Sequence, residues 1–371
     1  MPVLHAVDGP PGSGKTTTII REAQSWTEDT QAAVVTYTTD AAGVLKQRAP
    51  NILSGTIYSL TWPYAKKFLK GRLASRGNAI YGTRKIAHAL DPALEQYCAD
   101  APSRNKQIAE EIARELHGWE GGHCPFDLST LTPKGQIQFL LPIAKWLEAG
   151  APIPDEDRLD FLAIDEAQDM SALEIRAAMA LLKPEGKAVA YGDPGQAIFG
   201  TAKGLRGNQL PAAWRWAEST QVLSKGWRVG NPVSSLAAKV LDPYYSRPSS
   251  TFTAEHSTEL IAWDTPHVRP ARGLCLGFSR RLVARNFRNW GLTGTSVTPK
   301  LGRADTELVL STCHAAKGAE AKEVFILPFS RFGLEKIEAS DPAMLRLLYV
   351  ALTRASKRLY IPRNLLGRIR R

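Results

Sequence analysis

Cysteine is scarce in this chain. The four present, Cys98, Cys124, Cys275 and Cys313, stand far apart and form no C-x-x-C pair. That argues against a disulfide framework or a zinc site and fits a reducing compartment. Long apolar runs are missing too. None approaches the ~20 residues of a membrane span, so no membrane partner is expected. Acidic residues are absent from three long tracts: residues 41–90 hold nine Lys/Arg and no Asp or Glu, residues 265–304 hold eight, and residues 343–371 eight more. The formal net charge of +11 is therefore concentrated, and its distribution suggests a surface built for a polyanion. Arg368-Ile369-Arg370-Arg371 reads equally well as a solvated tail. With 371 residues, 44% hydrophobic and 22% charged, the composition is that of a globular protein of two or three domains.

What is present begins with Gly9-Pro10-Pro11-Gly12-Ser13-Gly14-Lys15-Thr16, which fits G-x-x-x-x-G-K-[ST]. Apolar Val3, Leu4, Ala6 and Val7 precede it and an amphipathic stretch, 17–26, follows. That gives the strand, glycine loop and helix the motif requires. Backbone N–H groups of such a loop turn toward phosphate oxygens at a helix N-terminus. Gly9, Pro10, Pro11, Gly12, Ser13, Gly14, Lys15, Thr16 and Thr17 are thus the candidate nucleotide-binding residues. Lys15 would reach the β- and γ-phosphates, and the Thr16 hydroxyl would ligate Mg²⁺. With the loop opening at Gly9, no cleaved signal peptide is expected.

Beyond the loop, alternating signals predict a parallel α/β sheet: a strand over 31–39, a helix over 40–48 and a strand over 51–59. Residues 61–157 read as helix-rich, with Ile108, Ile112 and Leu116 on one face and a second helix over 134–149 that Pro142 kinks. The sheet resumes with Phe161-Leu162-Ala163-Ile164, a helix over 171–182, and Ala188-Val189-Ala190-Tyr191. A second α/β set starts near Gln221. It has a helix from Asn231-Pro232, strands at 274–277, 307–312, 323–327 and 358–361, and helices over 279–290, with one basic face, and 342–354. No fixed 20–50-residue repeat is present.

Asp165-Glu166-Ala167-Gln168 closes an apolar strand. Adjacent carboxylates aimed differently suit phosphoryl transfer: Asp165 holds Mg²⁺ and Glu166 polarises the attacking water. Strand carboxyl ends are where ligands bind in such sheets, and both Asp165-Glu166 and Gly192-Asp193 fall there.

Seven segments in order resemble the superfamily 1 helicases of the UvrD/Rep type. They are the glycine loop, Val35-Thr36-Tyr37-Thr38-Thr39, Gly55-Thr56-Ile57-Tyr58-Ser59, Asp165–Gln168, Gly192-Asp193-Pro194-Gly195-Gln196, His314-Ala315-Ala316-Lys317-Gly318-Ala319-Glu320, and Tyr349-Val350-Ala351-Leu352-Thr353-Arg354-Ala355. The resemblance implies an α/β fold of two RecA-like P-loop motor domains with parallel sheets, plus a helical insertion in the first. Residues 1–60 and 158–218 would form the first domain, 61–157 the insertion, and 219–371 the second. ATP and Mg²⁺ would be the cofactors, with ATP in the cleft between the domains. Catalysis would fall to Glu166, Lys15, Gln196 as γ-phosphate sensor, and Arg228 and Arg354 as arginine fingers. Trp227 would stack on adenine and Glu320 would bind the ribose. Thr36, Tyr37, Thr56, Tyr58, Phe199, Thr312 and His314 would touch the nucleic acid, where aromatic stacking on bases tolerates any sequence.

So read, the chain is an ATP hydrolase and helicase moving on single-stranded DNA or single/double-strand junctions, with 3′→5′ polarity. Its protein partners would act in replication, repair or recombination. Its place would be the cytoplasm, at the nucleoid, or the host cytoplasm if viral. Two rivals stand: the same engine on RNA, and a nucleotide-switched DNA-binding or loading module that unwinds nothing. A nuclease is not expected, because no unassigned acidic cluster remains. The chain also departs from the family. No glutamine motif precedes Gly9, which leaves selectivity for ATP open. Gly200 is followed by Thr201-Ala202-Lys203 instead of aromatic-Arg-Gly. Pro194-Gly195 replaces the usual acids, as in small viral or phage relatives. Only a short linker joins Trp290 to Glu307 where a large domain is usual, so this is a minimal form.

Overall fold

The structure is a computed structural model that describes residues 2–26, 29–69, 87, 96, 98, 104–124, 126, 137–199, 209–223, 225–226, 228–241, 256–263, 269–291, 303–329 and 331–369. The chain divides into two compact units. One comprises Met1–Val7, Thr16–Gly192 and Phe199–Gln221; the other comprises Asp8–Lys15, Asp193–Ile198 and Val222–Arg371.

Two six-stranded parallel sheets carry the α/β fold that the alternating pattern predicts. The first has the order β3-β2-β4-β5-β1-β6, built from β1 (Val3–Asp8), β2 (Ala32–Thr36), β3 (Leu53–Thr56), β4 (Leu159–Ile164), β5 (Leu182–Gly192) and β6 (Ser219–Val222). Strands β2 and β4 carry apolar runs: Ala33, Val34 and Val35 of β2 and Leu162, Ala163 and Ile164 of β4 are all buried, as a sheet covered on both faces requires. Helices α1 (Lys15–Gln24), α2 (Thr39–Arg48) and α3 (Ile57–Phe68) follow the first three strands. The expected strand over 51–59 stops early. The Thr56 hydroxyl accepts the Ser59 amide at 3.2 Å, and this cap starts α3 at Ile57.

Within the helical segment, α4 (Arg104–Gly118) and α5 (Ile137–Glu148) are described, and Pro142 lies inside α5. Ile108, Ile112 and Leu116 are fully buried, on the face their spacing predicts. They share one apolar cluster with Leu140, Leu141 and Trp146 of α5 and with Leu162, Leu173 and Ile175. The helical segment therefore adds to the core of the first sheet. After β4 comes α6 (Ala172–Met179), opened by a capping box in which Ser171 and Glu174 exchange side-chain-to-backbone bonds. Short α7 (Ala212–Trp216) leads to β6.

The second sheet has the order β10-β9-β11-β12-β8-β7. Its strands are β7 (Asn231–Pro232), β8 (Ser257–Trp263), β9 (Gly273–Gly277), β10 (Leu308–Thr312), β11 (Ala321–Ile326) and β12 (Ala355–Pro362). Side chains alternate between its faces. Leu274, Leu276, Val324 and Ile326 enter one cluster, while Cys275 and Phe325 enter the other. Helices α8 (Val233–Leu241), α9 (Arg280–Asn289), α10 (Arg331–Glu338), α11 (Pro342–Leu352) and α12 (Arg363–Ile369) complete the unit. Ser279 caps α9 and Asp341 caps α11.

Candidate active site

The glycine loop joins β1 to α1. Gly12 and Gly14 hold φ of 75° and 83°, left-handed values that favour glycine. At Gly12 a Cβ would also lie 2.4 Å from the Cβ of Arg228, so any side chain is excluded there. Ser13 N donates to Pro10 O at 3.1 Å, and the Lys15 ammonium donates to Gly9 O at 2.7 Å and to Pro10 O at 3.2 Å. The Ser13 hydroxyl is buried without a hydrogen-bond partner. Buried polar groups ordinarily have one, so an unpaired donor in this loop fits an anionic ligand. Thr17, next on α1, is exposed and accepts from Arg48 at 3.4 Å.

In the first unit, the Thr16 hydroxyl donates to Asp165 Oδ2 at 3.1 Å. Two oxygens bound at right angles to one Mg²⁺ at ~2.1 Å would lie roughly 3 Å apart, so the pair fits that ion. Asp165 is buried at the end of β4, where its amide donates to Val35 O at 2.8 Å. Glu166 takes a left-handed backbone (φ 54°, ψ 36°), unusual outside glycine, and its amide donates to Asp165 Oδ1. The Gln168 amide holds Glu166 by a hydrogen bond to Oε2. Nearby, the Tyr191 hydroxyl donates to Glu22 of α1. Among the described residues no three His, Cys, Asp or Glu cluster as a metal site.

In the second unit, Asp193 is fully buried. Its carboxylate accepts from Gly195 N at 2.9 Å, Gln196 Nε2 at 2.8 Å and the Tyr349 hydroxyl at 2.9 Å. Three donors satisfy a charge that burial would otherwise penalise by several kcal/mol. Gln196 is thereby oriented, and its Oε1 accepts from Arg354 at 3.0 Å while its backbone carbonyl accepts from Lys317 Nζ at 2.6 Å. Arg354 is 1% exposed and also donates to Val350 O, Ala319 O and the Thr353 hydroxyl. Gly195 has a steric reason to replace the usual acid. A Cβ there would lie 2.6 Å from Leu241 and 3.1 Å from Tyr349.

Arg228 Nε lies 2.6 Å from Glu320 Oε2 without the alignment of a hydrogen bond. Two residues assigned to different parts of the nucleotide thus face each other. Trp227 lies outside the described residues. Of the nucleic-acid candidates, Thr36 is fully buried and Thr312, 8% exposed, accepts from Ala315 N. Thr56 caps α3, and the Tyr37 and Phe199 rings stand 6.3 Å apart. His314 is exposed, and local desolvation lowers its pKa. Tyr58 donates to the buried Glu174 at 2.8 Å. Roles for Asp193, Lys317, Tyr349, Gln168 and Glu174 were not readable from the sequence, because each rests on a partner far along the chain or on a local turn.

Comparisons with known proteins agree with the motifs. A family model described as an AAA domain matches residues 2–202, and one described as the UvrD-like helicase C-terminal domain matches residues 307–361. No curated protein matches the chain. Among solved structures, arterivirus nonstructural protein 10 (helicase) matches at 15% identity, over 98% of this chain and 61% of that one, with a TM-score of 0.43. The same viral protein in complex with DNA matches at 15%, over 99% and 63%, with a TM-score of 0.44. The PRRSV helicase matches at 14%, over 98% and 53%, with a TM-score of 0.41. The chain thus spans about three fifths of the length of the first of these helicases. Among the described residues no helix is long and apolar enough to cross a membrane. An AAA domain over more than half its length, followed by a UvrD-like helicase C-terminal domain, places the chain in the superfamily 1 helicases of the UvrD/Rep type.

Proposed function

We propose that the protein is an ATP-dependent translocase on single-stranded DNA, moving 3′→5′ and separating strands ahead of it. One observation carries the hydrolytic part of this reading: the Thr16 hydroxyl and the Asp165 carboxylate meet at 3.1 Å, with Glu166 next in the chain and held by Gln168. A passive binding module has no need for a second carboxylate.

Thr16 and Asp165 would hold Mg²⁺, which would neutralise charge on the phosphates. Lys15 leaves its loop carbonyls for the β- and γ-phosphates. Glu166 orients the attacking water and accepts its proton. Arg228 and Arg354 set positive charge against the transferring phosphoryl group, a contribution worth orders of magnitude in rate. Glu320 binds the ribose and Trp227 the base. Gln196, tied to Asp193 and Arg354, reports the γ-phosphate to the rest of the chain. Thr36, Tyr37, Thr56, Tyr58, Phe199, Thr312 and His314 are the residues that touch the strand. Residues 1–60 with 158–218, and 219–371, act as the two motor domains, and 61–157 as an insertion in the first.

The test is the steady-state ATPase rate without nucleic acid, with single-stranded DNA, and with RNA of matched length, at fixed salt because polyanion affinity depends steeply on it. Stimulation by DNA, and displacement of duplexes with 3′ tails only, is expected. Equal or greater stimulation by RNA would move the substrate to RNA. No stimulation by either would replace the motor with a nucleotide switch.

A further inference from the structure

Three elements converge on one buried acid. Glu174, 1% exposed on the first turn of α6, accepts the Tyr58 hydroxyl on Oε1 at 2.8 Å and the Ser171 amide on Oε2 at 2.7 Å. His117 of α4, also 1% exposed, shares a hydrogen bond of 2.8 Å with the Ser171 hydroxyl, and its Nδ1 stands 3.9 Å from Glu174 Oε2. Tyr37, at the end of β2, is close enough for Glu174 and Asp169 to help hold its phenol protonated. Tyr58, from one of the segments resembling nucleic-acid motifs, therefore bonds this carboxylate directly.

That carboxylate is mechanically close to the hydrolytic turn. From Glu166 to Ser171 the chain is a stiff run: Asp169 N donates to Glu166 O, Met170 N to Ala167 O, and Ile175 N to Ser171 O. Ala167, Gln168, Asp169, Met170 and Ser171 are all buried. A shift at the N-terminus of α6 has no soft segment in which to dissipate before it reaches Glu166.

We infer that Glu174 is a positioning residue that transmits strand occupancy, felt at Tyr58, to the water-orienting carboxylate Glu166. The inference rests on the motor reading above. A charge-assisted bond from Tyr58 fixes Glu174, Glu174 fixes the first turn of α6, and that turn sets the aim of Glu166. When a strand displaces Tyr58, the carboxylate changes partners and the turn follows.

Glu174→Gln keeps the size and the capping box, since glutamine serves at that position, but it has one acceptor oxygen where two are needed. Basal ATPase stays within about twofold, while the stimulation by single-stranded DNA falls about tenfold, the worth of one charge-assisted bond. Tyr58→Phe removes the donor from the other side, and the double variant loses no more stimulation than Glu174→Gln alone. Additive losses, or equal losses of basal and stimulated rates with a lower melting temperature, would mark Glu174 as merely structural. Full stimulation in Glu174→Gln would overturn the coupling and leave the motor standing. A wild-type protein indifferent to nucleic acid would overturn both.

Discussion

The Arg354 guanidinium donates to the side-chain oxygen of Gln196 at 3.0 Å, linking residues 158 positions apart. The bond ties the motif after β5 to the motif at the end of α11. Arg354→Ala leaves Gln196 Oε1 and Ala319 O to find other donors, each at a cost of about 1–3 kcal/mol. ATP hydrolysis should fall by about 10³-fold or more, as for lost arginine fingers. Arg354→Lys keeps the charge but loses the planar fork, and should restore stability more than rate. Melting curves and steady-state ATPase rates together check this.

The Lys15 ammonium donates to the Gly9 and Pro10 carbonyls of its own loop. Lys15→Ala should abolish hydrolysis while leaving some DNA binding intact. Glu166→Gln keeps the metal pair of Thr16 and Asp165 and should trap ATP-bound protein on DNA. Filter binding with labelled ATP and DNA distinguishes the two. A Lys15→Ala protein turning over at the wild-type rate would falsify the site.

Restoring an acid at position 195 should fail. In Gly195→Asp the new Cβ meets Leu241 at 2.6 Å, and overpacking of this kind costs about 1–3 kcal/mol. The urea midpoint should drop, and Tyr349→Phe should lower it as well by leaving Asp193 with one donor fewer.

Burial raises the pKa of the Cys275 and Cys313 thiols, and of the Tyr37, Tyr58 and Tyr191 phenols. With a raised pKa, the folded state keeps protons that the unfolded state sheds. The stability these groups contribute is complete below their unfolded values, about 8.5 for cysteine and about 10 for tyrosine, and is lost as pH climbs toward the folded values. Urea midpoints should fall through that alkaline range. Three phenols should be missing from the native tyrosinate titration, and thiol reagents should label the folded protein slowly.

Helix α9 exposes Arg280, Arg281, Arg285 and Arg288, none of them in an ion pair among the described residues. Elsewhere Arg358 pairs with Glu259 and Glu323, Arg215 with Glu120 and Arg331 with Glu335. Arg285→Ala and Arg288→Ala should each weaken nucleic-acid binding and lower the salt slope by about one. Fluorescence anisotropy across a salt series measures both.

The parallel sheets, the glycine loop and the buried face of α4 were legible because each is a local pattern of spacing. The start of α3 was not: Ile57 and Tyr58 favour strands, and only the Thr56 cap turns them into a helix. Edge strand β6 exposes all four residues and so gave no apolar signal. At the site, the motif residues could be named in order, but the Arg354–Gln196, Tyr349–Asp193 and Tyr58–Glu174 pairs join segments more than a hundred residues apart. Gly195 looked like a departure from a family pattern, and became a packing requirement only once Leu241 and Tyr349 were in place.

In the first sheet, β1 is flanked by β5 and β6. Both partners leave the ribosome long after it does. During synthesis the glycine loop therefore hangs from an unpaired strand until β5 has emerged, and contacts this distant in sequence form late. Nascent chains halted before residue 182 should show no nucleotide affinity, whereas those extended past residue 222 should gain the part of it that the glycine loop supplies. For that interval the half-built sheet offers an open apolar edge, and this is when the growing polypeptide most needs a chaperone.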